Sequence, residues 1–420
     1  MRTGLTFTGT NDITLSRPIE IHSGLARLDA ITAGGNFIAE GPISGAGGLY
    51  ITSSNGARVT LKGSNSYAGM TVLAGTAAIH SEAALGSGDL EIQGGTLILN
   101  APWVSSRNLL FNGATIHTNG FTAVANGSWS STGPLIKSGP GILRTTREQF
   151  LGGNIAVTEG AMEVAGDGAV RSPLFELRTG GTLLLDNTAI ARSNRLTGAP
   201  SLGLADGELR LNGHATIPVD EKINVLSTSG SKGNMVSIAT TGAPVILHAT
   251  SINLSDGDLV IRGDGLGAAA GAPYSRVLLS TLPVRSGDLL RDIYAGSESH
   301  GPASSFAFYD TAIDAAGTVG LRPLRANEYS TGTIQNPLNG GTTAGAAHFL
   351  VDPGTIAIGA GNTIQSLTLN PSGSLALSAG QKLSITSGGI LGRAGSAPIT
   401  ISGGSLILAP AAEAFLLPAT

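Results

Sequence analysis

Apolar positions along this chain come in short bursts. Residues 59–99 read VTLKGSNSYAGMTVLAGTAAIHSEAALGSGDLEIQGGTLIL, in which VTL, MTVL, DLEI and TLIL are each stopped by Gly, or by Gly with Ser or Asn. Runs of this length bounded by turn formers predict short β-strands. The same texture continues in both directions. Strands are predicted at 5–7, 13–15, 19–21, 25–28 and 36–39, and again in LILN, NLLF, ATIH and FTAV, with Gly113, Gly120 and Gly127 between them. Strand centres fall roughly seven to ten residues apart, too even for unrelated loops. One phrase recurs as GGTLILN (94–100), GGTLLLDN (180–187), DGELRLNG (206–213), DGDLVIRG (256–263) and GGSLILAP (403–410). In each, glycine permits a positive-φ turn and the next apolar residue opens a strand. Farther on, Leu367, Leu375 and Leu383 recur every eight residues.

A larger period is also present. The segment 135–170, beginning LIKSGPGILRTTREQFLGGNIAVTEG, repeats the pattern of 49–88. Tyr67 aligns with Phe150, Gly69 with Gly152 and Gly75 with Gly160, an offset of 83 at the aromatic and 85 at the last glycine. These residues resemble the autotransporter-associated β-strand repeat. Gly63, Asn65, Tyr67, Gly69 and Gly75-Thr76 match the second half of that motif, and Leu135, Lys137, Gly139, Gly141 and Leu143 match the first. The second copy departs from it, with Arg147 and Gln149 around the expected Asn. The match covers about 70 residues directly. The resemblance implies a right-handed parallel β-helix in a large secreted or surface-displayed protein, and it carries no catalytic residues.

Composition narrows the class. Glycine reaches 62 of 420 residues without a Gly-X-Y period, so collagen is excluded. Charged residues are only 12%, yet 41% of the chain is apolar, which argues against disorder. Net charge is −4 with Lys and Arg scattered singly, so no nucleic-acid footprint exists. Cysteine is absent, which removes thiolate, zinc-finger and iron–sulfur chemistry. No run of eighteen apolar residues and no signal-peptide h-region occurs. Both ends fall inside the repeat pattern, which predicts a piece of a longer exported protein. Its export signal, and any membrane association, would then belong to segments outside this chain.

The rhythm breaks at 264–329. That segment concentrates Tyr274, Tyr294, Phe306, Phe308, Tyr309 and Tyr329. Within it, SGDLLRDIYAG (286–296) predicts a short amphipathic helix, with Ser286 as N-cap, Leu289, Leu290, Ile293 and Tyr294 on one face, and Gly296 as the stop. The expected organisation is therefore a β-solenoid over 1–263, an irregular aromatic-rich excursion or junction over 264–329, and a solenoid continuation over 330–420.

Candidate chemistry is sparse. Gly263-Asp-Gly265-Leu-Gly-Ala268 follows a strand and matches a dinucleotide fingerprint, but AAAGAP after it is no helix, so a glycine-rich turn is expected. Asp256, Asp258 and Asp264 lack the nonapeptide repeat of calcium-binding β-rolls and read as turn formers. Histidines 22, 80, 117, 214, 248, 300 and 348 are isolated from one another, unlike metal ligands. Asp186, Asp206 and Asp220 sit in predicted turns, and Asn65, Asn100, Asn187 and Asn212 at strand ends, where amides cap turns or stack. Trp103 and Trp129 read as packing residues, and the aromatic group of 264–329 as a small satellite core.

No catalytic, cofactor-binding or metal-binding residue is therefore assigned. The expectation is an all-β, right-handed parallel β-helix with an irregular excursion, at roughly 20–25 residues per rung and on the order of 70–90 Å long. Its expected role is a non-enzymatic structural or adhesive stalk, extracellular or at the cell surface, whose partners are glycans or proteins there. The alternative is a β-helix polysaccharide lyase or glycoside hydrolase, with carboxylates paired across rungs.

Overall fold

The computed structural model describes residues 4–408 except 231–232, 256, 271–272, 331–347, 352–353, 359–361, 394 and 396, together with 414–416. Strands form where the apolar bursts stand, among them Arg58–Leu61, Thr71–Leu73, Leu90–Gln93 and Thr96–Leu99. They do not pair with their sequence neighbours. Val59 lies opposite Ala77, and Ala77 opposite Leu97, always in parallel. Each circuit of the chain adds two or three strands, one to a face, and the next circuit stacks on it. The result is a parallel β-solenoid.

One face is a thirteen-stranded sheet running from Ile13–Leu15 to Ser275–Leu279. A second is a seven-stranded sheet from Gly4–Phe7 to Trp129–Ser131, followed on later turns by the three strands Glu148–Phe150, Ala169–Arg171 and Leu196–Thr197. The third is a twelve-stranded sheet beginning at Trp103–Ser105. Turn length varies more than expected: Val59 and Ala77 are 18 residues apart, Val245 and Ser275 are 30. At the parallel-strand spacing, the thirteen-stranded face alone is about 60 Å long.

The core is a set of columns running along the rod. Val59, Ala77, Leu97, Ile116, Lys137, Val157, Leu177 and Leu204 follow one another in register on eight successive turns. All are buried. Lys137 is the one ion in this aliphatic column. Its Nζ donates to the carbonyl oxygens of Ser138 (3.2 Å), Gly139 (2.7 Å) and Glu159 (2.8 Å), so the ammonium ties the corner of its own turn to the next.

Corners pose the harder problem, because a buried backbone group there has no ladder partner and remains costly unless something else bonds to it. Buried side-chain amides fill the gap. Asn65 Oδ1 accepts the Ile43 N–H (2.8 Å) from the turn before, and its Nδ2 donates to the Ala84 carbonyl (2.6 Å) on the turn after. Asn234 does the same between Asp206 N–H (3.0 Å) and the Asp258 carbonyl (3.0 Å). Gln149 accepts from Trp129 N–H (2.7 Å) and donates to the Gly127 carbonyl (3.0 Å). Glu221 uses a carboxylate instead, taking Arg195 N–H (2.8 Å) and Leu196 N–H (2.9 Å) from the preceding turn. Glycine serves where backbones meet most closely. A Cβ on Gly69 would stand 2.5 Å from the Gly48 nitrogen and 2.7 Å from the Gly47 carbonyl carbon.

One expectation is corrected by this arrangement. The helix over 286–296 is instead the strand Leu289–Gly296, parallel to Leu259–Gly263 and antiparallel to Ser305–Asp314. Asp292, in the left-handed region at φ 58°, shifts the register between Leu289 and Tyr294. That bulge lets Leu289, Leu290, Ile293 and Tyr294 all be buried, so a helix-like spacing is satisfied by a kinked strand. The two sequence copies do not share a face. Thr71–Leu73 lies in the seven-stranded sheet, whereas Ile155–Val157 lies in the thirteen-stranded one, so the copies occupy different faces. Tyr67 is buried, its hydroxyl 2.5 Å from Thr71 Oγ1, but Phe150 points outward and Leu151 fills the interior beside it.

Beyond the antiparallel strands, residues 348–408 contribute a second stack. Leu367, Leu375 and Leu383 are buried in its core. Their register partners are Ile390, Ile401 and Leu406, so the eight-residue step leads from one face to the next, not from one turn to the next. A separate cluster, Leu289, Tyr294, Ala303, Phe306, Leu324, Tyr329 and Leu391, packs the antiparallel strands against this stack. Arg393 reinforces it, donating to the Ser304 carbonyl (2.7 Å).

Asn65→Ala removes partners from two buried backbone groups and is expected to cost about 2–4 kcal/mol. Urea unfolding checks this against Asn154→Ala, an exposed position expected to shift by less than about 0.5 kcal/mol. Glu221 makes stability depend on pH. Burial lifts its carboxyl from 4.5 to about 7. The folded chain therefore holds that proton more tightly than the unfolded chain. The resulting stabilisation is full below pH 4.5 and lost as pH rises through 7. The stability difference between wild type and Glu221→Ala is expected to be larger at pH 4.5 than at pH 8, measured by urea unfolding at both.

Candidate functional site

The residues singled out from the sequence are, for the most part, engaged in the scaffold. Gly263–Gly267 form a turn, with Asp264 accepting Thr240 N–H (2.9 Å) and Ser299 N–H (2.8 Å). Asp258 is buried, and Asp256 lies outside the described residues. Asp186 accepts Thr188 N–H (3.2 Å), Asp206 accepts Gly233 N–H (2.9 Å), and Asp220 faces His248 at 3.3 Å. Asp186, Asp206 and Asp264 hold turns, whereas Asp220, expected in a turn, lies within the strand Val219–Ser229.

The histidines are spread over the rod with separate partners. His22 stands near Glu20, His80 beside Asn100, His117 beside Ser138, and His300 beside Ser299. His214 accepts the Thr216 and Ile217 N–H groups, and His348 is buried against Ser366. Among the described residues, no group of three or more His, Asp or Glu side chains could hold a metal ion.

Buried ions with shifted pKa values are often functional, and here each has a structural partner set. Burial pushes Lys137 down to about 8, opposed by the Glu159 charge, and its ammonium is spent on carbonyls. Burial likewise pushes Tyr67 up to about 12. Arg107, nearly enclosed, pairs with Glu82 Oε1 (2.6 Å) and donates to the Leu85, Gly86 and Gly88 carbonyls. Trp103 is buried and its indole N–H donates to the same Glu82. Trp129 packs edge-on to Phe111 with ring centres 5.7 Å apart. The aromatics of 264–329 also pack inward: Tyr294 against Phe306, Tyr329 onto Ser305, Tyr309 onto Leu279, and Tyr274 and Phe308 beneath Arg276 and Arg322.

One depression stands apart. On the flank formed by Glu148–Phe150, Ala169–Arg171 and Leu196–Thr197, a cavity of about 440 Å³ is lined by Phe150, Arg171, Thr197, Ala199 and Asn224, among others. Parallel register brings them together: Phe150 is opposite Arg171, and Arg171 opposite Thr197. The strand Glu148–Phe150 turns Gln149 inward and thus Phe150 outward. Sequence reading missed this group, because it treated Phe150 as the counterpart of buried Tyr67 and had no signal for Arg171 or Asn224. The single cue was the departure of Gln149 from the repeat pattern, since the inward amide fixes the outward ring.

No family model matches the chain, and no solved structure matches it. A curated protein does: over 205 residues, 43% of this chain, it is 29% identical to the adhesin BmaC autotransporter of Brucella suis biovar 1 (strain 1330). The matched stretch is 6% of that protein's length, so this chain spans a small part of the relative.

Proposed function

We propose that this chain is a rod-forming, adhesive segment of a surface-displayed protein of the autotransporter type, acting by projection and binding and not by catalysis. The observation that carries this reading is the stack itself: a parallel solenoid with continuous core columns, similar over 43% of its length to part of an autotransporter adhesin. A solenoid whose repeats touch only their neighbours grows in length without a larger core, and its long faces offer extended binding surfaces. Asp186, Asp206, Asp264 and Glu221 are committed to turns and corners, which favours binding over hydrolysis. In this reading the parallel turns up to Leu289–Gly296 and the stack within 348–408 are rod, and the antiparallel strands between them join the two.

Display tests the proposal. The chain is placed between a secretion signal and an outer-membrane β-barrel in a laboratory Gram-negative strain. Antibody labelling of intact cells and shaving by external protease are the expected outcomes, with increased attachment of the cells to glycan- or matrix-coated surfaces. Retention inside the cell, or display without any gain in attachment, would contradict it.

A further inference from the structure

We propose that the depression beside Phe150 binds an acidic oligosaccharide, with one sugar ring stacked on Phe150 and the anionic group of a neighbouring unit held by Arg171. The proposal deepens the adhesive reading by naming a site and a ligand class for it.

Two independent observations converge. First, Phe150 is 56% exposed, while the other aromatic side chains whose burial is described are buried or half-buried. An exposed aromatic face in a shallow concavity suits the apolar C–H face of a pyranose. Second, Arg171 is exposed on the adjacent turn, and its guanidinium has no hydrogen-bond or ion-pair partner among the described residues. The acid on the same flank is already engaged: Glu148 faces Arg192 at 3.4 Å. The depression therefore keeps a net positive group whose planar fork matches a carboxylate or sulfate. Half-buried Thr197 continues the lining on the following turn.

The ladder sets the spacing. Phe150, Arg171 and Thr197 stand on three consecutive turns, each step about 4.8 Å. That step is comparable to one unit of an extended polysaccharide, so successive sugars meet successive turns. Asn224 lies exposed at the far side, and the wall above is the tight turn Gly198–Ala199, both left-handed at φ 87° and 47°. A volume of about 440 Å³ is within the range of small-ligand sites.

Binding of hexasaccharides to the purified full chain tests this by calorimetry. The probes are unsulfated chondroitin, its sulfated form, and neutral cellohexaose. At least one acidic probe is expected to bind tenfold or more tighter than cellohexaose, weakening as salt rises; the two acidic arms separate carboxylate from sulfate recognition. Phe150→Ala is expected to reduce affinity tenfold or more. Arg171→Gln should bring the acidic probes down to the neutral level. Both side chains are exposed, so an unchanged melting temperature verifies the fold. Equal binding of cellohexaose, no binding of any probe, or wild-type affinity in both variants would overturn the site. These outcomes are separable from the adhesive reading, since display and attachment are scored on cells without these probes. A cell that attaches equally with Phe150→Ala retains the stalk and loses the site.

Discussion

Stacking backbone on backbone at about 4.8 Å is the constraint on which the rest of this molecule depends. Along the strands that spacing satisfies itself, because each N–H and C=O meets a partner on the next turn. At the corners it does not. There the chain needs either a side chain that reaches both neighbours or no side chain at all. Asn65, Gln149 and Asn234 are the first solution, and Gly69 is the second. Lys137 and Glu221 are charged versions of the first, each holding several backbone groups at the cost of burying an ion.

Much of this was legible in the sequence because it is local. Gly-bounded bursts such as those at 90–93 and 96–99 specify strands, and the low charge with high glycine content points to stacked backbones. What misled was spacing taken as phase. Leu289, Leu290, Ile293 and Tyr294 have helical spacing, yet the open edge of Leu259–Gly263 takes them as a strand, with a bulge at Asp292 reconciling the pattern. Leu367, Leu375 and Leu383 mark successive faces and so understate the turn threefold. The two repeat copies share chemistry but sit on different faces, so aligned residues need not share an environment.

The candidate site was hardly legible at all. Its residues lie between positions 150 and 224 and become neighbours only through stacking. Turn lengths of 18 to 34 residues mean that no fixed offset predicts which side chains meet. A ligand surface on a solenoid is written across turns, while a sequence is read along them. The inward amide of Gln149 connects the two descriptions: the same side chain that closes a corner directs Phe150 to solvent.

The central claim is that corner amides are as firmly held as ladder amides, and residue-resolved native-state hydrogen exchange addresses it directly. Ile43, Trp129, Asp206 and Arg195 donate their N–H groups to buried side chains on the next turn. The account predicts that these four exchange as slowly as strand amides such as Leu97 and Leu177. Exchange at the rate of exposed turns, with the strands still protected, would contradict it.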